Sequence, residues 1–249
     1  MRGISRILTG RRLVVAIAAV LAAVAGAGGT ALALTTSAPS HAVSVSRGDL
    51  TRAALKVTSG TRFLDISMGR LGGTLLRVST PDGAPVRPVL SGSQLIMLSL
   101  AGATGPSAQG SGYVVKVVLN SAVTWSLDLA GGTQRTQVDL RGGKVAGVAV
   151  MAGSAVLDVS LPRPSGTLPF LLAGGVSQFR LSLPGGVPVQ VTVGAGASSV
   201  SVDDQKLTGI AGGTVLTPPG WASATSRFDI DAISGFSQLT VSRWPAAGS

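Results

Sequence analysis

The stretch WSLDLAGGTQRTQVDLRGGKVAGVAVMAGSAVL, residues 125–157, divides into three units of eleven: WSLDLAGGTQR, TQVDLRGGKVA and GVAVMAGSAVL. Its glycines fall in register, Gly131-Gly132, then Gly142-Gly143, then Gly153. Gly174-Gly175 and Gly185-Gly186 show the same interval further on. Between the two sets lies DVSLPRPSGTLPFLLA, where Pro162, Pro164 and Pro169 disturb the register, and Gly194 and Gly196 continue it loosely. A short fixed period marks a repeat architecture, in which one unit alone cannot bury its apolar face and stacking supplies the core.

Within each unit the side chains alternate. Leu127 and Leu129, Val138 and Leu140, Phe179, Leu181 and Leu183, and Val189, Val191 and Val193 share one strand face. Ser126 and Asp128, Gln137 and Asp139, Arg180 and Ser182, and Gln190 and Thr192 take the other. Period-two patterning over about five residues, broken by glycine, predicts short strands joined by tight corners, where glycine tolerates positive φ. The expected fold is all-β, a stacked short-strand β-solenoid, with a β-sandwich of hairpins as the alternative. Toward the N-terminus, LKVTSGTRFLDIS, GGTLLRVSTPDG, GSQLIMLSLAG and YVVKVVLN extend the pattern less regularly, around a glycine- and serine-rich loop from Ala101 to Gly112.

Composition agrees and excludes much. The chain of 249 residues is 45% apolar, enough for a real core, and its 35 glycines and 13 prolines follow no triplet period. All ten acidic residues are aspartate, so glutamate, a good helix former, is missing. Cysteine is absent and His41 is the single histidine, which leaves no thiolate site, histidine triad or multi-histidine zinc site within one chain. Four of the basic residues, Arg2, Arg6, Arg11 and Arg12, precede the first apolar run, and those after it are scattered. Without a basic block or interleaved aromatics, nucleic acid is not an expected partner.

Those arginines introduce a second feature. LVVAIAAVLAAVAGAGGTALAL, residues 13–34, carries no charge and as a helix would cover about 33 Å, the thickness of a hydrocarbon core. A single-pass anchor with residues 1–12 in the cytoplasm and everything after about 35 outside is expected from the positive-inside rule. The alternative is a cleaved signal peptide, with small-residue sites at Ala31-Leu32-Ala33 or Ser40-His41-Ala42, and secretion. Residues 35–46 then form a polar tether, 47–244 the extracytoplasmic β-repeat domain, and 245–249 a tail.

Four segments carry a family resemblance: VTWSLDLAGG (residues 123–132), VDLRGG (138–143), PGGVPV (184–189) and GFSQLTV (235–241). They resemble the glycine-rich β-repeat domains of bacterial envelope proteins, the toast-rack and adhesin-type group related to the LiaF-like cell-wall-antibiotic response proteins. The resemblance implies an exported β-solenoid-like domain, often membrane-tethered, with no catalytic residues to carry over. Those response proteins commonly have several membrane helices ahead of the β-domain, whereas one candidate span precedes it here.

Chemistry-bearing groups are sparse. Asp229 and Asp231, in RFDID, share a strand face and have the oxygens calcium prefers, but the loops lack a D-x-D-x-D-G pattern, so they read as solvated carboxylates near Arg227 or Lys206. Asp128 and Asp139 hold equivalent repeat positions, a stacking that would pair two like charges for acid and base work on a glycan. Trp125 reads as core or end cap. Trp221, in TPPGWAS, reads as an end cap or as a contact point for a polysaccharide or protein. Taken together, the sequence predicts no catalytic, cofactor or metal residues. It predicts a non-enzymatic, structural, sensing or adhesive envelope domain, monomeric or weakly oligomeric, that meets an envelope protein or cell-wall polymer through Trp221, Arg180, Gln190 and Thr192. The alternatives are a carbohydrate-active β-helix enzyme using aspartates and a secreted ligand carrier with an apolar cavity.

Overall fold

The computed structural model describes residues 40–102 and 112–245. The basic segment, the apolar run 13–34, residues 35–39 of the tether, residues 103–111 of the Ala101–Gly112 loop and residues 246–249 of the tail lie outside the described residues. Among the described residues no helix is long and apolar enough to cross a membrane.

The chain forms β1 (Ala42–Ser46), β2 (Arg52–Val57), β3 (Thr61–Gly69), β4 (Thr74–Ser79), β5 (Val86–Ser91), β6 (Leu95–Gly102) and β7 (Val114–Asn120). The regular repeat supplies β8 (Thr124–Leu129), β9 (Thr133–Asp139), β10 (Lys144–Val150), β11 (Ser154–Ser160), β12 (Thr167–Leu172) and β13 (Val176–Pro184). There follow β14 (Val189–Val193), β15 (Ala197–Val202), β16 (Gln205–Ile210), β17 (Thr214–Leu216), β18 (Arg227–Ala232) and β19 (Phe236–Trp244). They make two sheets. Sheet A has ten strands in the order β1-β4-β7-β3-β9-β11-β13-β19-β15-β16, and sheet B nine in the order β17-β14-β18-β12-β10-β8-β2-β6-β5.

This is the β-solenoid-like repeat fold expected from the sequence. One rung is a strand in sheet B followed by a strand in sheet A, so the eleven-residue period is half a rung. Rungs stack in parallel: Ser154 of β11 faces Thr133 of β9 and Val176 of β13. The inward residues then align across rungs. Ile96, Leu55, Leu127, Val148, Phe170, Ile230 and Val191 form one rail along sheet B, all 2% exposed or less. Phe170 stacks on Phe179 of sheet A with ring centroids 5.2 Å apart, joining the two sheets. Each such side chain, fully buried, contributes about 1.5–3 kcal/mol.

The rung order departs from sequence order at both ends. β6 and β7 stack outside β2 and β3, and the last rung, β18–β19, lies between β12–β13 and β14–β15. Antiparallel strands finish the stack: β4 and β1, with β5, at one end, and β16 and β17 at the other. Pro88 sits on β5, where a missing N–H on an edge strand discourages further pairing.

The half-rung period corrects two expectations. Asp128 lies on sheet B, opposite Ala149 and Lys56, whereas Asp139 lies on sheet A, opposite Ser67 and Ser160. Successive units therefore face opposite ways, and the two carboxylates are not a pair. Of the corner glycines, Gly186 and Gly196 take the positive φ expected of them, but others serve a different purpose. Gly131, Gly174 and Gly194 have no positive φ; a Cβ on them would lie 2.0 Å from Ser59 O, 2.1 Å from Ala152 O and 2.8 Å from Ile233 Cα, so they let adjacent rungs approach, while beside them Thr61 N, Thr133 N and Ser154 N donate to Gly132 O, Gly153 O and Gly175 O at 3.0, 3.0 and 3.1 Å. The tether is shorter than its sequence boundary at 46. AVSVS alternates as a strand does and becomes β1, and His41 Nδ1 meets Thr80 Oγ1 at 2.9 Å.

Candidate functional site

Because inward positions are filled by the apolar rails, function falls to the outer faces of the two sheets. The structure divides the residues singled out from sequence between these faces: Arg180 is on sheet A, and Gln190 and Thr192 are on sheet B.

On sheet A the outward rows are polar and ion-paired. Asp158 accepts from Arg135 Nη2 at 3.0 Å and from Arg180 Nη1 at 3.1 Å, and Arg180 Nη2 donates to Gln178 Oε1 at 2.7 Å. The register sets these groups side by side, with Gln137 and Arg180 opposite Asp158 and Thr240 opposite Arg180. Nearby, Arg141 binds Asp139 through two nitrogens at 2.9 and 2.6 Å, and this hydrogen bonding holds the Asp139 carboxyl below the usual carboxylate range. The result is a polar face on which Arg135, Arg141, Gln178 and Arg180 are tied to their neighbours.

Sheet B is different. Its outward positions near the middle are small or apolar, with Gly147 and Ala149 on β10 and Pro169 and Leu171 on β12. Ala149 and Leu171 are nearly fully buried and pack with Ala173 as a second apolar cluster, separate from the main core. Next to it comes β18, where Phe228, Ile230 and Ala232 face the core and Asp229 and Asp231 face out. Parallel pairing places Pro169 and Leu171 opposite the two carboxylates on one flank, and Gln190 and Thr192 opposite them on the other.

Asp231 is thus enclosed and Asp229 half-buried. Asp231 is 3% exposed, and neither of its oxygens has a hydrogen-bond partner. Desolvation raises the pKa of Asp229 and Asp231, the Asp229 charge raises Asp231 further, and Arg227 only partly offsets the effect on Asp229. Arg227 is engaged elsewhere: its guanidinium donates to Thr167 Oγ1, Trp221 O and Ala222 O and lies 4.6 Å from the Trp221 ring centroid. Gln190 Nε2 donates to Thr217 Oγ1 at 2.7 Å. By contrast, Asp128 on the same face is paired with Lys56 at 3.0 Å.

Trp221 packs on this sheet. Its Nε1 donates to Phe228 O at 2.8 Å, so the ring is held over the start of β18 and does not cap the stack. Trp125 is core, with Nε1 bonded to Asn120 O. At the end of the stack an open cleft of about 590 Å³ is walled by Val189, Val200, Val202, Leu207 and Val215, beside Asp203 and Asp204. Sequence reasoning found Gln190, Thr192, Asp229 and Asp231 separately. It missed that they form one quartet, because the strands that carry them are separated by some forty residues of chain.

No known family profile and no curated protein matches the sequence. In fold, the chain is similar to a solved structure from Clostridium sporogenes described as a "putative cell adhesion protein", with a TM-score of 0.62 at 15% identity over 82% of this chain and 98% of that one. Two structures described as a "putative adhesin", from Parabacteroides merdae and Parabacteroides distasonis, give TM-scores of 0.22 and 0.24 at 12% and 11% identity. They cover 64% and 82% of this chain and 66% and 78% of their own, and superpositions this loose carry no argument.

Proposed function

We propose that this chain is a non-enzymatic, membrane-tethered extracytoplasmic domain that acts as an adhesive surface of the bacterial envelope, with sheet A as its contact face. The observation that carries this reading is the pre-ordered row Arg135, Asp158, Gln178 and Arg180 on the outer face of sheet A. Side chains already held by ion pairs and hydrogen bonds lose little further freedom on contact, which favours binding to an extended polymer or protein. The fold shared with the Clostridium sporogenes protein supports the same reading. The acid-base alternative loses its motivating pair, since Asp128 and Asp139 belong to opposite sheets. The apolar run 13–34 would supply the tether and place the domain outside the cell. The antiparallel ends of the stack support a monomer or weak oligomer.

The test is binding of the full chain to purified cell-wall glycans and to intact envelopes. The double variant Gln178→Ala/Arg180→Ala should weaken retention at least tenfold while melting near the wild-type temperature. Unchanged retention would reject sheet A as the contact face.

A further inference from the structure

We propose that Asp229, Asp231, Gln190 and Thr192 form a calcium-class divalent-cation site on the outer face of sheet B. The quartet is built by register: Gln190 lies opposite Asp229 and Thr192 opposite Asp231 on adjacent parallel strands, all four outward. Both carboxylates, the Gln190 amide oxygen and the Thr192 hydroxyl are hard oxygen donors, and water can complete the six to eight that calcium takes. Gln190 is already oriented, because its amide nitrogen is bound to Thr217 Oγ1 and leaves Oε1 as an acceptor.

A cluster of acids alone would not establish a site. What points to a ligand is Asp231, which is nearly fully buried with both oxygens unpartnered, beside a second carboxylate and an apolar flank that offers no donor. A buried carboxylate without a donor is costly, and a cation between the pair removes both the desolvation and the like-charge penalty. The nearest arginine, Arg227, is committed to Thr167, Trp221 and Ala222. The inference stands independently of the adhesive reading, since sheet A and sheet B are tested by different variants.

The experiment uses the full chain in EDTA and in 10 mM calcium chloride at matched ionic strength. Wild-type protein should melt about 3–10 °C higher in calcium, the shift expected for a site of about 0.1–1 mM affinity in a domain of this size. Asp231→Asn should lose that rise yet melt above wild type in EDTA, because it removes a buried charge. Terbium, a calcium surrogate, should show luminescence sensitised by Trp221, whose indole is bound to the residue before Asp229. Calcium should displace it, and Asp231→Asn and Thr192→Val should weaken it at least tenfold. Equal melting of the wild type in calcium and EDTA, or a calcium response retained by Asp231→Asn, would overturn the proposal. So would terbium luminescence unaffected by either variant.

Discussion

The glycine corners make a demanding test of the stacked-rung architecture. A Cβ placed on Gly131 would lie 2.0 Å from Ser59 O, and one on Gly174 would lie 2.1 Å from Ala152 O. Both obstacles are backbone atoms of the neighbouring rung, which cannot rotate away, and an ordinary contact needs about 3.4 Å, so the rungs must part locally by more than 1 Å. The bonds at stake are Ala130 N and Gly131 N to Val57 O, at 2.9 and 3.0 Å, and Ala173 N and Gly174 N to Val150 O, at 2.8 and 3.0 Å. Weakening two of them costs about 1 kcal/mol each, and the overpacking itself about 1–3 kcal/mol, giving about 3–5 kcal/mol for Gly131→Ala or Gly174→Ala. At about 2–4 °C per kcal/mol, each should lower Tm by about 10 °C in a calorimetric or fluorescence melt. Gly166→Ala is the control, because nothing lies within 4 Å of its Cβ; it should be neutral or slightly stabilising through the unfolded chain. If all three variants melt within about 2 °C of the wild type, close approach at the corners is not what glycine supplies.

Trp125→Ala removes a fully buried indole and its bond to Asn120 O, and should cost about 3–5 kcal/mol by denaturant unfolding. Asp139 is held below its ordinary value, so the stability it contributes is present above about pH 4 and is lost as pH falls through the lowered value. Asp139→Asn should therefore be less stable than wild type at pH 7, by under about 1 kcal/mol because the pair is solvent-screened, with the gap closing as pH falls through the lowered value. Deleting residues 227–249 removes β18 and β19 from within the stack, not from its end, and should abolish the cooperative melt; a shortened chain that melts cooperatively would contradict the rung order.

Much of the fold was legible because its cause is local. Period-two alternation at Leu127–Leu129 or Val189–Val193 specifies which face is buried, and the glycine interval specifies where the chain turns. The same corner pattern runs through the irregular N-terminal part: Gly60 stacks on Gly132, whose carbonyl receives the Thr61 N–H, just as Gly153 receives Thr133. What the pattern hid was the alternation of units between two sheets. Repeat-equivalent residues such as Asp128 and Asp139 look like stacked neighbours in sequence, yet true neighbours are a whole rung apart, as Val148 is from Leu127 and Phe170. Trp221 was likewise ambiguous, because its place depends on Phe228 and Arg227, neither of which marks the loop before it as a packed one.

The insertion of the last rung explains why the sequence suggested solvated aspartates and the structure encloses Asp231 and half-buries Asp229. Every rung presents the same currency of inward Val, Leu, Ile and Phe, so burial alone does not fix the order in which rungs stack. Had β18 followed β14 at the end of the stack, one flank of Asp229 and Asp231 would have faced an edge open to water. Lying between β12 and β14, the strand instead meets Pro169 and Leu171 on one side and Gln190 and Thr192 on the other. One side takes away the hydration of the carboxylates and the other supplies two oxygen-bearing side chains beside them. The same non-local pairing that joins the strands therefore creates a polar, largely buried spot, at a position where neither RFDID nor VPVQVTV signals a site by itself.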